Sequence, residues 1–206
     1  MEKRYLVIIL LAFLLPLCSF DNKGGRTGPV LPNKTLDGKT IDDAYYKGHV
    51  TIVSFMFIGC LPCMNEIGVL NRIKREYAAN DQLQILCIAR QMREQMIQFN
   101  DDSKTSPFSM LRKAMKVDPI TYTILPGCDE APSKMKDTQT DSVREVYLKS
   151  ECNTIEEKCG IAAFPTIFFV DKKGMVRKVK DGGPGKPNDE AFYNEVKQEI
   201  DALLSE

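Results

Sequence analysis

The sequence lacks tryptophan and has few residues that bind metals. Its 206 residues contain one histidine, His49, and one C-x-x-C pair, Cys60 and Cys63. A structural zinc site uses four ligands, usually from two such pairs, so the sequence argues against zinc. Attachment of a c-type haem needs a histidine directly after the second cysteine, where Met64 stands. We therefore expect no metal and no cofactor.

Net charge and a long apolar run are also missing. There are 28 basic residues, Lys and Arg together, and 28 acidic residues, Asp and Glu together, and no basic block stands out. This composition argues against nucleic acid as a partner. The N-terminal apolar run, residues 6–15, is shorter than the about 20 residues of a typical membrane helix. Because it follows Lys3 and Arg4, it is interpreted as an export signal.

Residues 1–18 are predicted to be this signal segment. Its end, Leu15-Pro16-Leu17-Cys18, resembles a bacterial lipoprotein cleavage site, with Leu17 where Gly, Ala or Ser is usual. Cys18 is thus the lipidation candidate, and ordinary cleavage near Ser19 or an uncleaved anchor are the alternatives. We expect export to the bacterial periplasm or cell envelope, with anchoring to the membrane if Cys18 carries a lipid. Residues 19–29, rich in Gly, predict a flexible tether.

The cysteine pair lies where a strand pattern changes into a helix pattern. Residues 50–57 are almost continuously apolar, which predicts a strand covered on both faces. From Ile67 the apolar residues recur every three or four positions, as in an amphipathic helix. The free N–H groups and the dipole of a helix start lower the pKa of a thiol. We expect Cys60 to be an exposed attacking thiolate and Cys63 to be a partly covered resolving thiol. A purely structural cysteine pair is the alternative.

The rest of the chain predicts one α/β domain, residues 30–206. A hairpin is predicted at 36–41, and a strand at 84–89 would complete a right-handed parallel βαβ unit. Helices are predicted at 92–99 and 108–115, and a further strand at 120–125. Residues 126–158 lose periodicity and are predicted to be an irregular insertion. A strand at 166–170, its antiparallel partner at 175–179 and a helix capped by Asn188 or Asp189 complete the domain.

Four other cysteines lie in this domain. Cys87 falls inside a predicted strand and is interpreted as a buried core thiol. Cys128, Cys152 and Cys159 border the insertion and are candidates for a structural disulfide, with Cys128 pairing with one of the other two. A second redox pair is the alternative.

Four features over residues 30–206 resemble the thioredoxin superfamily, and within it the exported TlpA/ResA-type thiol-disulfide oxidoreductases. They are the hairpin ending in Gly-Lys-Thr, the C-x-x-C motif with Glu66 three residues on, the Ala-Phe-Pro-Thr segment around Pro165, and the Asp-Lys-Lys-Gly turn. The resemblance implies a thioredoxin-like fold. That fold has a central mixed sheet flanked by helices, an N-terminal edge hairpin and an insertion before the cis-proline strand.

The resemblance also implies roles for individual residues. Pro165 would follow a cis peptide bond and lie beside the cysteines, and the backbone of Phe164 would contact an extended substrate. Glu66 would manage protons near Cys63, and an exposed glutamate in the first helical turn is the alternative. A tryptophan is common where Gly59 stands, and a proline where Gly68 stands.

Two other activities of related proteins fit the sequence poorly. Peroxiredoxins place Pro seven residues and Thr or Ser three residues before the reactive cysteine, where this chain has Val53 and Phe57. Copper carriers use a histidine distal to the cysteine pair, whereas His49 precedes it.

We therefore expect an envelope thiol-disulfide oxidoreductase that acts as a reductant. The direction follows from Leu61-Pro62, which offers no cation to stabilise a Cys60 thiolate. Disulfide-bearing exported proteins would be its substrates, and a membrane or envelope protein its electron donor. A redox-inactive or redox-sensing binding module is the alternative from another functional class.

Overall fold

A mixed six-stranded sheet organises the residues that the computed structural model describes, which are 26–29, 33–103, 105–128 and 154–206. The strands are β1 (Arg26–Thr27), β2 (Asn33–Lys34), β3 (Thr40–Ile41), β4 (Val50–Met56), β5 (Leu83–Met92), β6 (Thr123–Cys128), β7 (Thr166–Val170) and β8 (Met175–Asp181). The helices are a 3₁₀ turn (Asp43–Tyr46), α1 (Leu61–Glu76), α2 (Arg93–Asn100), α3 (Pro107–Ala114), α4 (Thr154–Lys158) and α5 (Glu190–Leu204). The strand order is β1-β8-β7-β4-β5-β6.

The central strand is β4, which runs parallel to β5 and antiparallel to β7. Every residue of β4 is buried, as its apolar run predicts for a strand covered on both faces. The predicted parallel βαβ unit is thus formed by β4, α1 and β5. Because the two parallel strands share a direction, the cysteine-bearing turn after β4 and the carboxyl end of β5 lie at the same edge of the sheet.

Apolar side chains cover the two faces of the sheet with separate clusters. One cluster joins α1, α2 and α5 to the sheet, through residues such as Ile67, Phe99 and Val196. The other joins the 3₁₀ turn and α4 to the opposite face, through residues such as Tyr46 and Ile155. Alternation along β4 and β5 sends successive side chains to opposite clusters.

The predicted N-terminal hairpin forms a small sheet of its own from β2 and β3. It is fastened to the main sheet by the Leu36 N–H, which donates to the Ile124 carbonyl at 2.8 Å. The Arg93 guanidinium also donates to the carbonyls of Lys34, Thr35 and Leu36 at 2.6 to 3.2 Å. The hairpin is therefore attached to the start of β6 and to α2.

Several boundaries differ from the sequence prediction. The strand predicted at 120–125 is β6, Thr123–Cys128, and the strand predicted at 84–89 extends to Met92. The last residues of the predicted tether pair with β8 as β1, and the Gly28 N–H donates to the Gly174 carbonyl. Both ends of the predicted irregular insertion are regular, since β6 continues to Cys128 and α4 begins at Thr154. Long-range contacts order these segments: Ile155 buries its side chain against the sheet. Residues 1–18 with Cys18, most of the tether, and most of the insertion with Cys152 lie outside the described residues.

Candidate active site

The turn between β4 and α1 places both cysteines at a helix start. Gly59 adopts a left-handed φ of +97°, which lets the chain turn sharply after the strand. Cys60 is the N-cap residue of α1, and Pro62 follows in the first turn, where its missing N–H costs nothing. A tryptophan in place of Gly59 would be strained at this φ.

Cys60 and Cys63 form a disulfide, with their Cα atoms 5.2 Å apart. The Cys63 N–H donates to the Cys60 sulfur at 3.2 Å, so the helix start faces this sulfur. Cys60 is 7% exposed and Cys63 is 1% exposed. The expectation of an exposed Cys60 is therefore wrong for the disulfide form, because its sulfur turns back over the first turn of the helix. The difference in exposure still makes Cys60 the more accessible of the two.

A glycine joins the C-x-x-C turn to the proline predicted beside it. The Phe164–Pro165 peptide bond is cis. A Cβ atom added to Gly183 would lie 2.6 Å from the Pro165 ring and 2.9 Å from the Pro62 carbonyl oxygen, so Gly183 touches both. The neighbouring Gly182 N–H donates to the Pro165 carbonyl at 2.8 Å. The loop after β8 thus packs between the proline and the start of α1.

The same loop is tied to α1 by a buried side chain. The Asn65 amide donates to the Pro184 carbonyl at 3.1 Å, and Asn65 is 7% exposed. Leu61, in contrast, is 60% exposed and forms an apolar edge beside the disulfide. Nothing in the sequence of this Gly-rich loop indicates which turn it contacts.

The Phe164 backbone lies just before the ladder of β7. Strand β7 begins only at Thr166, and no hydrogen bond among the described residues uses the Phe164 N–H or carbonyl. The Phe164 ring packs edge-to-face on Phe57, with the ring centroids 5.3 Å apart. This arrangement leaves a main-chain donor and acceptor for an extended ligand next to a fixed aromatic ring.

Glu66 lies one helical turn after Cys63 and points into the protein. It is 2% exposed, so the alternative of an exposed first-turn glutamate is wrong. One carboxyl oxygen accepts a hydrogen bond from Ser54, and the other has no hydrogen-bond partner among the described residues. Burial raises the pKa of Glu66 to about 8, although the Ser54 hydrogen bond and the charge of Lys180 oppose the shift. A carboxyl group with this pKa can exchange a proton near neutral pH.

Cys87 lies on the strand next to the one that carries Ser54. It lies opposite Ser54 in the β4–β5 register and is fully buried. Burial, and secondly the charge of Glu66, raise the pKa of the Cys87 thiol. Burial, and then Cys87 and Glu66, also raise the pKa of Tyr122. The Cys87 thiol therefore stays protonated, as expected of a core cysteine.

The three cysteines that are candidates for a structural disulfide are distant from Cys60 and Cys63 in the sequence. Cys128 ends β6 and is disulfide-bonded. Cys159 is 2% exposed and follows α4, whereas Cys152 lies outside the described residues. Within the described part of the chain, no group of three or more His, Cys, Asp or Glu residues could hold a metal ion.

Comparison with known proteins finds similarity in structure alone. No protein-family model and no curated protein matches the sequence. A candidate thiol:disulfide interchange protein, DsbE from Chlorobium tepidum, superposes with a TM-score of 0.54 at 20% identity, covering 90% of this chain and 99% of its own. A thiol-disulfide isomerase from Corynebacterium glutamicum gives 0.52 at 15% identity, covering 87% and 96%. MTB DsbF gives 0.51 at 18% identity, covering 83% and 92%.

The fold is thioredoxin-like. The fold class predicted from the sequence is thus confirmed, including the mixed sheet flanked by helices. The thioredoxin-like fold carries a C-x-x-C pair as a disulfide at the start of α1. None of the helices that the structure describes is both long and apolar enough to cross a bilayer.

Proposed function

We propose that this protein is a thiol-disulfide oxidoreductase of the bacterial cell envelope, acting on disulfide-bearing exported proteins. The observation that carries the proposal is the placement of the Cys60–Cys63 disulfide at the start of α1, joined through Gly183 to cis-Pro165. A helix start favours the thiolate needed for exchange. The Phe164 backbone, which makes no hydrogen bond among the described residues, could bind an extended substrate.

The reaction would begin from the reduced dithiol. The Cys60 thiolate attacks one sulfur of the substrate disulfide, and the displaced substrate sulfur leaves as a thiolate that takes up a proton. Cys63 then attacks the Cys60 sulfur, which closes the Cys60–Cys63 disulfide and releases the second substrate sulfur as a thiolate that takes up a proton from water. Glu66, one turn along the helix, accepts the proton that Cys63 loses. The substrate gains two electrons, and a membrane or envelope donor returns the pair to its reduced state.

The proposed direction is reduction of the substrate. Leu61 and Pro62 carry no charge, so they add nothing to the stabilisation that the helix start gives a Cys60 thiolate. A less stabilised thiolate makes the dithiol a stronger reductant. We expect a reduction potential nearer to about −270 mV, as in thioredoxin, than to about −120 mV, as in strongly oxidising relatives.

Catalysed turnover provides the test. Wild type and the Cys60→Ser and Cys63→Ser variants are compared in the reduction of a peptide that contains one disulfide, with dithiothreitol as the electron source. Wild type should accelerate reduction over dithiothreitol alone, and neither variant should complete the cycle. Equal rates with and without the wild-type protein would contradict the proposal.

Burial favours a second candidate, a binding module in which the disulfide is redox-inactive or only senses redox state. Cys60 and Cys63 are 7% and 1% exposed, which limits direct attack on the disulfide. In that case dithiothreitol would reduce the Cys60–Cys63 pair slowly, and the protein would not catalyse repeated reduction of the peptide. The turnover assay therefore separates the two candidates.

A further inference from the structure

An aromatic pair joins the C-x-x-C turn to the segment before the cis-proline. Phe57 directly follows β4, and Phe164 directly precedes Pro165; their rings meet edge-to-face at 5.3 Å. The Arg90 guanidinium lies over the Phe164 ring, 4.5 Å from its centroid, and 5.9 Å from that of Phe57. Arg90 therefore contacts both rings, and the Phe164 ring more closely.

Arg90 comes from the carboxyl end of β5, at the edge of the sheet that carries the cysteines. The β5–β6 register shifts between Ala89 and Met92, as at a β-bulge. Bulges next to active sites redirect a side chain out of the regular ladder. The irregularity thus coincides with the residue that reaches Phe164.

A carboxylate from α4 holds Arg90 in place. The Arg90 Nε–H donates to a Glu156 carboxyl oxygen at 2.7 Å. The side chain of Glu156 is 2% exposed and that of Arg90 is 20% exposed, so the ion pair is largely withdrawn from water. The other Glu156 oxygen is buried and has no hydrogen-bond partner in the described part of the chain.

Such a pair is a costly way to stabilise a core. Well-packed apolar residues of similar volume usually stabilise a protein as much as a buried ion pair does, or more. Here the pair fixes the orientation of the Arg90 side chain, since a planar guanidinium held by a carboxylate can lie flat on one ring.

We propose that Arg90, oriented by Glu156, is a positioning residue that fixes Phe164 and thereby the substrate-contacting backbone before cis-Pro165. This inference rests on the proposed function, because it assigns a role in the same reaction. It implies that Arg90 matters for extended peptide substrates, which need the Phe164 backbone. Small disulfides, which need only the cysteines, should be insensitive to it.

The test compares two substrates, a decapeptide with one disulfide and hydroxyethyl disulfide, each with dithiothreitol as the electron source. The variants are Arg90→Met, which removes the guanidinium, and Arg90→Lys, which keeps the charge near Glu156 but loses the planar group. Arg72→Met is the matched control, since Arg72 also lies over an aromatic ring, at 3.6 Å from the centroid of Tyr193, and pairs with Glu190 at 2.6 Å.

For the decapeptide, Arg90→Met should raise KM by roughly three- to tenfold, the range expected for loss of a partly desolvated cation–π contact. Its kcat, and kcat/KM for hydroxyethyl disulfide, should stay within about twofold of wild type. Arg90→Lys should shift the peptide KM in the same direction, because ammonium does not stack as guanidinium does. Arg72→Met should match wild type with both substrates.

An unchanged peptide KM in the Arg90 variants would overturn the inference. A parallel loss with both substrates would also overturn it, because that pattern indicates a general structural role. If Arg90→Met fails to fold, Arg90→Lys and the double variant Arg90→Met/Glu156→Leu, which also removes the buried Glu156 carboxyl, decide the question. If wild type itself turns over neither substrate, the proposed function fails and the inference fails with it.

Discussion

The raised pKa of Glu66 should make the stability of the protein depend on pH. Burial moves the pKa of this carboxyl from 4.5 to about 8. Between these values the unfolded chain has lost the proton while the folded protein keeps it. The free energy of unfolding is therefore highest below pH 4.5 and falls as the pH rises. Each pH unit corresponds to about 1.4 kcal/mol. Relative to its value below pH 4.5, the free energy of unfolding of wild type should therefore fall by about 3 kcal/mol at pH 7 and on the order of 4–5 kcal/mol above pH 8.

Glu66→Gln removes this dependence because the amide does not titrate. Urea unfolding of both proteins at pH 5, 6, 7 and 8, with the disulfide intact, gives the difference in free energy of unfolding at each pH. The difference should change in favour of the variant by about 3 kcal/mol or more between pH 5 and pH 8. A constant offset from replacing the carboxyl does not affect this slope. The same substitution at the exposed Glu94 is the control.

A flat difference across this range would refute the reasoning, because Glu66 would then titrate in the folded protein as it does in the unfolded chain. The exchange rate gives an independent readout. If Glu66 accepts the proton of Cys63, Glu66→Gln should slow exchange by roughly 100-fold near pH 8 and less at pH 6, where wild-type Glu66 is itself protonated. Equal rates of the two proteins across pH would leave Glu66 a structural role only.

Three further predictions concern other parts of the chain. Cys18→Ala should move the protein from the membrane fraction to the soluble envelope fraction, and unchanged fractionation would contradict lipidation. Gly183→Ala should lower kcat/KM with a disulfide peptide by about tenfold or more, since the added methyl group would displace the cis-proline ring; wild-type kinetics would show that the loop adapts. Mass mapping of the oxidised protein should join Cys128 to Cys152 or Cys159, and a bond between the latter two would contradict this pairing.

Local pattern was sufficient to predict the elements that bear the site. The apolar run of β4 and the three-to-four spacing that begins at Ile67 are properties of neighbouring residues, so they locate the turn that carries the cysteines. The final helix begins at Glu190 and is capped by Asp189, one of the two residues expected for that role. These elements form as expected because the hydrophobic period and the capping chemistry agree there.

Features that depend on distant partners could not be predicted in this way. Strand β1 has only two residues and exists through pairing with β8, which lies about 150 positions later. The low exposure of Cys60 in the disulfide depends on how its sulfur turns over the helix start, which spacing alone does not reveal. Ser54 donates to Glu66 from a strand twelve positions earlier. Only the folded sheet shows that this serine faces the helix.

The central claim is that Cys60 is the nucleophile of disulfide exchange and Cys63 resolves the mixed disulfide. Without Cys63, the intramolecular attack that ends the covalent complex is lost. Cys63→Ser, expressed in cells as the full chain, should therefore accumulate high-mass complexes that disappear on reduction, and Cys60→Ser should accumulate few. Mass spectrometry of the complexes would identify the substrates. Equal trapping by the two variants, or trapping by neither, would contradict the account.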